Sequence, residues 1–174
     1  MTGAEVLFSE DEIRSRVEDI AAQIKQDFEG KNLCVIGLLE DSFVFMADLI
    51  RKVDGEVLCY FMKADVAEDD DRVTRVKKIL YSPEFDSRDR NILLVGGVLD
   101  TGITLDYVMK HLLQGGPALL KIYYLIDKPA LRRISISPDY SAFCVEGGTA
   151  GHWVGYGLGF QDRFRNLPFL GALS

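Results

Sequence analysis

Apolar residues recur at helical spacing early in the chain, with Ile13, Val17, Ile20, Ala21, Ile24 and Phe28 on one face. Ser9-Glu10-Asp11-Glu12 precedes them with the capping-box spacing, a hydroxyl for the first helix amides and a carboxylate three residues on, and Gly30 ends the element. Leu33 to Leu39 is a continuous apolar run with Gly37 inside it, the pattern of a strand covered on both faces. Phe43, Met46, Ala47, Ile50 and Val53 predict a second amphipathic helix, and Val57 to Met62 another strand. The acidic stretch Asp65 to Asp71 reads as a mobile loop, Val73 to Tyr81 as a strand at a sheet edge, and Ser82 to Arg90 as a turn-rich connection. Ile92 to Val95 predicts a central strand. Leu105, Val108, Met109, Leu112 and Leu113 mark a helix that stops at Gly115-Gly116-Pro117, and Leu119 to Ile126 a further strand. Short β-prone pieces fill the remainder. Strand and helix alternate through most of the chain, which predicts an α/β fold with a mainly parallel sheet, whose ligands bind beyond the carboxyl ends of the strands.

Composition narrows the classes. The 174 residues, 48% hydrophobic and 27% charged, suit one globular domain spanning 1–174 with a substantial core. Twenty Lys and Arg against 27 Asp and Glu give a net charge of −7, so no nucleic-acid partner is expected and an anionic ligand needs local donors. Cys34, Cys59 and Cys144 lie in apolar runs without metal-ligand spacing and read as reduced, buried thiols. The first residues lack the basic-then-apolar order of a secretion signal, and no run approaches the roughly 20 apolar residues that span a bilayer. The expectation is a cytoplasmic protein with no membrane partner.

Three stretches carry candidate chemistry. Asp100-Thr101-Gly102-Ile103-Thr104 lies between a buried strand and an amphipathic helix. A glycine and two hydroxyls at a helix N-terminus make an anion site suited to phosphate, or else merely cap the helix and relieve the turn. Lys128, in Asp127-Lys128-Pro129 at the end of the next strand, is placed to donate to a ligand carbonyl, or is a solvated loop cation. His152-Trp153-Val154-Gly155-Tyr156-Gly157-Leu158-Gly159 offers aromatic surface for a planar ring, or a core aromatic at a strand end.

Several blocks in order resemble the hypoxanthine-guanine phosphoribosyltransferase family over nearly the whole chain. They are Glu5 to Ser9, the loop-helix unit Ser42 to Leu49, the Asp100–Thr104 signature, Lys128, and Gly155-Tyr156-Gly157-Leu158 with Arg165-Asn166-Leu167-Pro168. The resemblance implies a type I phosphoribosyltransferase fold, a parallel sheet flanked by helices with a small C-terminal hood, and a homodimer or higher homo-oligomer. The implied reaction joins a purine to phosphoribosyl pyrophosphate, with Mg²⁺ bound, giving a nucleoside 5′-monophosphate and pyrophosphate. In family terms Asp100 is the acid/base group near the purine N7. Thr101, Gly102, Ile103 and Thr104 form the 5′-phosphate loop. Lys128 contacts the purine's exocyclic oxygen, and His152, Trp153 and Val154 form the base site. Glu40, Asp41 and Arg165 fall on the pyrophosphate side.

The departures from the family pattern concentrate on one ligand. Gly96 and Gly97 stand where two acids hold the ribose hydroxyls, and Ile103 where the signature has lysine. Glu40-Asp41 replaces Lys-Gly, the acidic stretch Asp65–Asp71 replaces the Ser-Tyr loop, and Gly159 replaces the Mg²⁺-associated acid. Like charges ~4 Å apart repel by roughly 1–4 kcal/mol, so Glu40 and Asp41 are expected to turn this half of the site electronegative. Asp162 and the acidic stretch remain as alternative metal ligands. The expectation is a purine nucleotide-binding homologue with weak or lost transfer. A non-catalytic interaction or regulatory protein on the same scaffold, and a transferase or hydrolase acting on a less anionic substrate, are the alternatives.

Overall fold

In the computed structural model, which describes residues 3–68, 74–81, 85–147 and 151–173, nine strands and three α-helices follow one another along the chain. β1 (Ala4–Phe8) leads into α1 (Glu10–Asp27), whose first turn closes as a capping box. Glu12 N donates to Ser9 Oγ, and Ser9 N donates to Glu12 Oε2 at 2.8 Å. Then come β2 (Leu33–Leu39), α2 (Phe43–Ile50), β3 (Val57–Glu68) and β4 (Thr74–Tyr81). β5 (Asn91–Leu99), α3 (Ile103–Gln114) and β6 (Leu119–Asp127) form the central unit, followed by β7 (Tyr140–Cys144), β8 (His152–Val154) and β9 (Leu170–Leu173).

The main sheet has the order β4-β3-β2-β5-β6-β7, parallel throughout except for the antiparallel edge strand β4. Its apolar runs divide between two faces because side chains alternate along a strand. Val35, Leu93, Val95, Tyr123 and Leu125 join α1 and α2 in one core, while Cys34, Ile36, Ile92, Leu94 and Ile122 join α3 in the other. A second sheet, β1-β9-β8, is antiparallel and joins the two ends of the chain, so the hood is built from the N-terminal strand as well as the C-terminal segment.

Two expectations change. Asp65 to Glu68 belong to β3 rather than to a loop, because β4 pairs with Met62 to Glu68 and extends the strand; residues 69–71 lie outside the described residues. Cys34 is buried, but Cys59 and Cys144 are exposed. β4 leaves the first residues of β3 without a partner on that side, and Cys144 ends the edge strand β7, so neither thiol is covered.

Candidate active site

β5 ends at Leu99, and the chain turns through Asp100 to Gly102 before α3 begins. Gly102 caps the helix with φ 82°, and a Cβ there would lie 2.7 Å from Ile136 Cγ2, so only glycine fits without displacement. The turn is tied down from behind. Arg132 Nη1 donates to Leu99 O at 2.8 Å and also to Asp100 O, while its Nη2 pairs with the nearly buried Asp127. Lys128 N donates to Leu99 O at 2.9 Å, and Arg133 N to Thr101 O at 2.9 Å. On the open side Asp100 Oδ1 accepts from Thr101 N at 2.6 Å, and Thr101 Oγ1 accepts from Ile103 N. The first-turn amides of α3 carry the partial positive charge of a helix start, which an anion satisfies.

A pocket of about 170 Å³ opens beside this turn, lined by Asp41, Gly97, Asp100, Gly102, Thr104 and Tyr124 among others. It brings the turn before α3 and the loop after β2 together. Lys128, His152, Trp153, Val154, Glu40 and Arg165 do not line it. Lys128 follows β6, its ammonium 5.0 Å from the Trp153 ring centroid, where burial lowers its pKa and the charge of Asp100 partly offsets that. Trp153 and Val154 are buried, and Trp153 lies in the α1/α2 core near Phe8. His152 is exposed and stacks on Phe160, ring centroids 4.0 Å apart.

The loop after β2 contradicts the expectation of a bare negative surface. Arg165 Nη1 donates to Asp41 Oδ1 at 2.6 Å and to Gly157 O at 2.7 Å, and Nη2 to Glu40 Oε2 at 3.3 Å. Lys63 Nζ donates to Glu40 at 2.9 Å. Lys63 and Arg165 hold the Glu40 carboxyl below its usual pKa. Two carboxylates thus meet two cations. The Leu39–Glu40 peptide is cis.

The three glycines of the departures are filled spaces. A Cβ on Gly96 would lie 2.2 Å from Tyr124 Cε1, one on Gly97 2.6 Å from Asp41 Cβ, and one on Gly159 2.8 Å from Arg165 Nε. Sequence reasoning missed Lys63, Tyr124, Arg132 and Phe160. The parallel pairing of Leu39 with Lys63 in the β2–β3 register is what sets Lys63 beside Glu40.

The profile of the phosphoribosyl transferase domain matches residues 6–161. The hypoxanthine-guanine phosphoribosyltransferase of Lactococcus lactis is 35% identical over 169 residues, covering 97% of this chain and 90% of that one. This chain belongs to the hypoxanthine-guanine phosphoribosyltransferase family. The hypoxanthine phosphoribosyltransferase of Escherichia coli is 34% identical over 171 residues, covering 97% and 94% of the two chains. Among solved structures, a hypoxanthine-guanine phosphoribosyltransferase from Bacillus anthracis superposes with a TM-score of 0.83 at 32% identity, covering 97% of this chain and 96% of that one. A Trypanosoma cruzi hypoxanthine phosphoribosyltransferase variant, complexed with the product IMP, gives 0.86 at 29% identity, covering 100% and 86%.

The Mg²⁺ that the family resemblance implies is held by one or two carboxylates together with substrate phosphates, and of the described residues Asp41 and Asp100 are the carboxylates that line the pocket. Among the described residues no three His, Cys, Asp or Glu side chains gather to hold a metal ion, Asp162 included. Of the lining carboxylates, Asp41 pairs with Arg165, and its neighbour Glu40 pairs with Arg165 and Lys63. Among the described residues no helix is long and apolar enough to cross a membrane.

Proposed function

We propose that the chain is a purine nucleoside 5′-monophosphate-binding member of its family whose phosphoribosyl transfer is weak or lost. The observation that carries this reading is the position of Arg165. Its guanidinium packs against Gly159 and is hydrogen-bonded to Asp41, Glu40 and Gly157 O, on the side assigned by resemblance to pyrophosphate. A diphosphate donor must compete with these internal carboxylates for the cation. Gly96 and Gly97 offer the ribose hydroxyls no side-chain acceptor. Hydrogen bonds to charged groups contribute about 1.5–3 kcal/mol each. At about 1.4 kcal/mol per tenfold, losing two of them removes roughly two to four powers of ten.

The monophosphate half keeps its parts. Thr101, Gly102, Ile103 and Thr104 form the phosphate loop, and the ties from Arg132 and Arg133 hold it in place. Asp100 stands as acid/base group, Lys128 as donor to the exocyclic oxygen, and His152 on Phe160 as the stacking face with Trp153 and Val154 behind. The IMP complex of the T. cruzi relative supports a nucleoside monophosphate as ligand.

Calorimetry with guanosine monophosphate, guanosine and pyrophosphate tests this. The expected result is micromolar binding of the monophosphate, at least about tenfold weaker binding of the nucleoside, and no measurable pyrophosphate binding. No binding of the monophosphate at about millimolar concentration overturns the reading in favour of a scaffold-only interaction protein.

A further inference from the structure

A cavity of about 590 Å³ lies between α1, α2 and residues 165–168, against about 170 Å³ for the pocket at the phosphate turn. Its volume falls within the roughly 300–1,000 Å³ of small-molecule sites, which combine an apolar lining with a few placed polar groups. Ile13 and Val17 of α1, Val44 of α2, Leu167 and Pro168 supply the apolar surface. Arg14, Arg51, Lys52 and Arg165 supply four cations against the two acids Glu10 and Asp48. That is an excess of two positive charges on a chain whose net charge is −7.

The excess is one of lining residues alone, since each of the four cations also pairs with an acid. Arg14 pairs with Asp11, Lys52 with Glu18 and Arg51 with Asp48, each with at least one partner more than half exposed. Exposed pairs of this kind hold their members weakly. Asp48 is engaged twice, by Arg51 and by the Tyr156 hydroxyl, which donates to it at 2.7 Å. One of the two acids in the wall is therefore already matched. Arg165 lines the cavity and also grips Asp41 and Glu40.

We propose that this cavity binds an organic anion, a carboxylate, sulfonate or phosphate carried on an apolar body. Cations around an apolar floor select that combination, because the charge is met at the rim and the body is desolvated below. The site is distinct from the phosphate turn and does not depend on the nucleotide reading. It is joined to the loop after β2 through Arg165, so an anion that draws on this guanidinium competes with Asp41 and Glu40.

Fluorescence titration of the full chain with 8-anilinonaphthalene-1-sulfonate tests the site, with N-phenyl-1-naphthylamine, the same body without the sulfonate, as the neutral control. Saturable one-site binding is expected. It weakens at least about tenfold for the neutral control and for Arg14→Gln/Arg51→Gln, and Asp41→Asn, which removes one of the two carboxylates on Arg165, tightens it. Both arginines are largely exposed, and circular dichroism with urea midpoints confirms that the variants fold. No saturable binding overturns the proposal, as does equal affinity for the neutral control or an unchanged affinity in the double variant. Displacement by guanosine monophosphate, or probe-driven dissociation of an oligomer in sedimentation, also overturns it, because the probe then occupies the nucleotide site or a contact between copies.

Discussion

Arg165 and Asp41, 124 residues apart in sequence, meet at 2.6 Å beside Gly97 and Gly159. The pair forms because residues 97 and 159 carry no side chains. Asp41 lies where a Cβ on Gly97 would project, and the Arg165 chain lies where one on Gly159 would project. Acids that would repel each other unpaired are neutralised by cations of the same chain, with Lys63 completing the cluster at Glu40. The loop after β2 is thus closed by its own counter-ions rather than left as a repulsive surface.

This closure has a measurable strength. Asp41 is half exposed and Arg165 about a quarter, so their coupling sits at the upper end of the surface range. A double-mutant cycle of Asp41→Asn and Arg165→Gln, read from urea unfolding, is expected to give a favourable coupling of about 1 kcal/mol. A coupling of zero would show that the pair does not hold the loop.

The glycines differ in what they tolerate. An aspartate at Gly97 meets Asp41 Cβ at 2.6 Å, Leu158 Cδ2 at 2.9 Å and the Asp41 carbonyl at 3.0 Å, so backbone must shift. Gly97→Asp is expected to cost about 1–3 kcal/mol of stability. At Gly159 every close atom belongs to the flexible Arg165 side chain, and Gly159→Ala is expected to cost under about 1 kcal/mol while displacing that side chain. Urea midpoints rank the two, and the reverse order contradicts the packing described.

Arg132 holds the turn before α3 through Leu99 O and Asp100 O, and its partner Asp127 is 9% exposed. Arg132→Leu leaves that carboxylate buried without its cation. The expected loss is about 3–5 kcal/mol, against a much smaller change for Arg133→Leu, whose side chain is exposed. Thermal or urea unfolding of the two variants distinguishes them.

Cys34 gives a pH signature. Burial raises its thiol from 9.0 to about 11. The unfolded chain therefore releases this proton at lower pH than the folded one, and the stabilisation from keeping the thiol neutral is full below pH 9 and lost as pH rises to about 11. The difference in unfolding free energy between the wild type and Cys34→Ala is expected to shrink across that window. A difference independent of pH would show that the thiol titrates normally.

Local signals were legible where their partners were near in sequence. The Ser9–Glu12 box, the apolar face of α1 and the alternation of strand and helix all survive in the structure. The Asp100–Thr104 turn was legible too, because strand, glycine and helix are contiguous. Asp65 to Glu68 misled because acidic residues suggest a loop, whereas pairing with β4 makes them strand. The hood's first strand gives no local sign that it pairs with β9, some 165 residues later. Lys63, Arg132 and Phe160 were hidden for the same reason. Each acquires its role from a strand register or a loop contact that joins distant segments, as Lys63 does through its pairing with Leu39.

The steady-state rate of guanosine monophosphate formation from guanine and phosphoribosyl pyrophosphate, with Mg²⁺ supplied, tests the central claim most directly. Fully active enzymes turn over at about 1–10³ s⁻¹, and a rate at least roughly a hundredfold below the bottom of that range is expected for a chain that binds the monophosphate. Turnover within the ordinary range would contradict the account, because it would mean that the diphosphate donor is seated despite the ion pairs of Arg165 with Asp41 and Glu40.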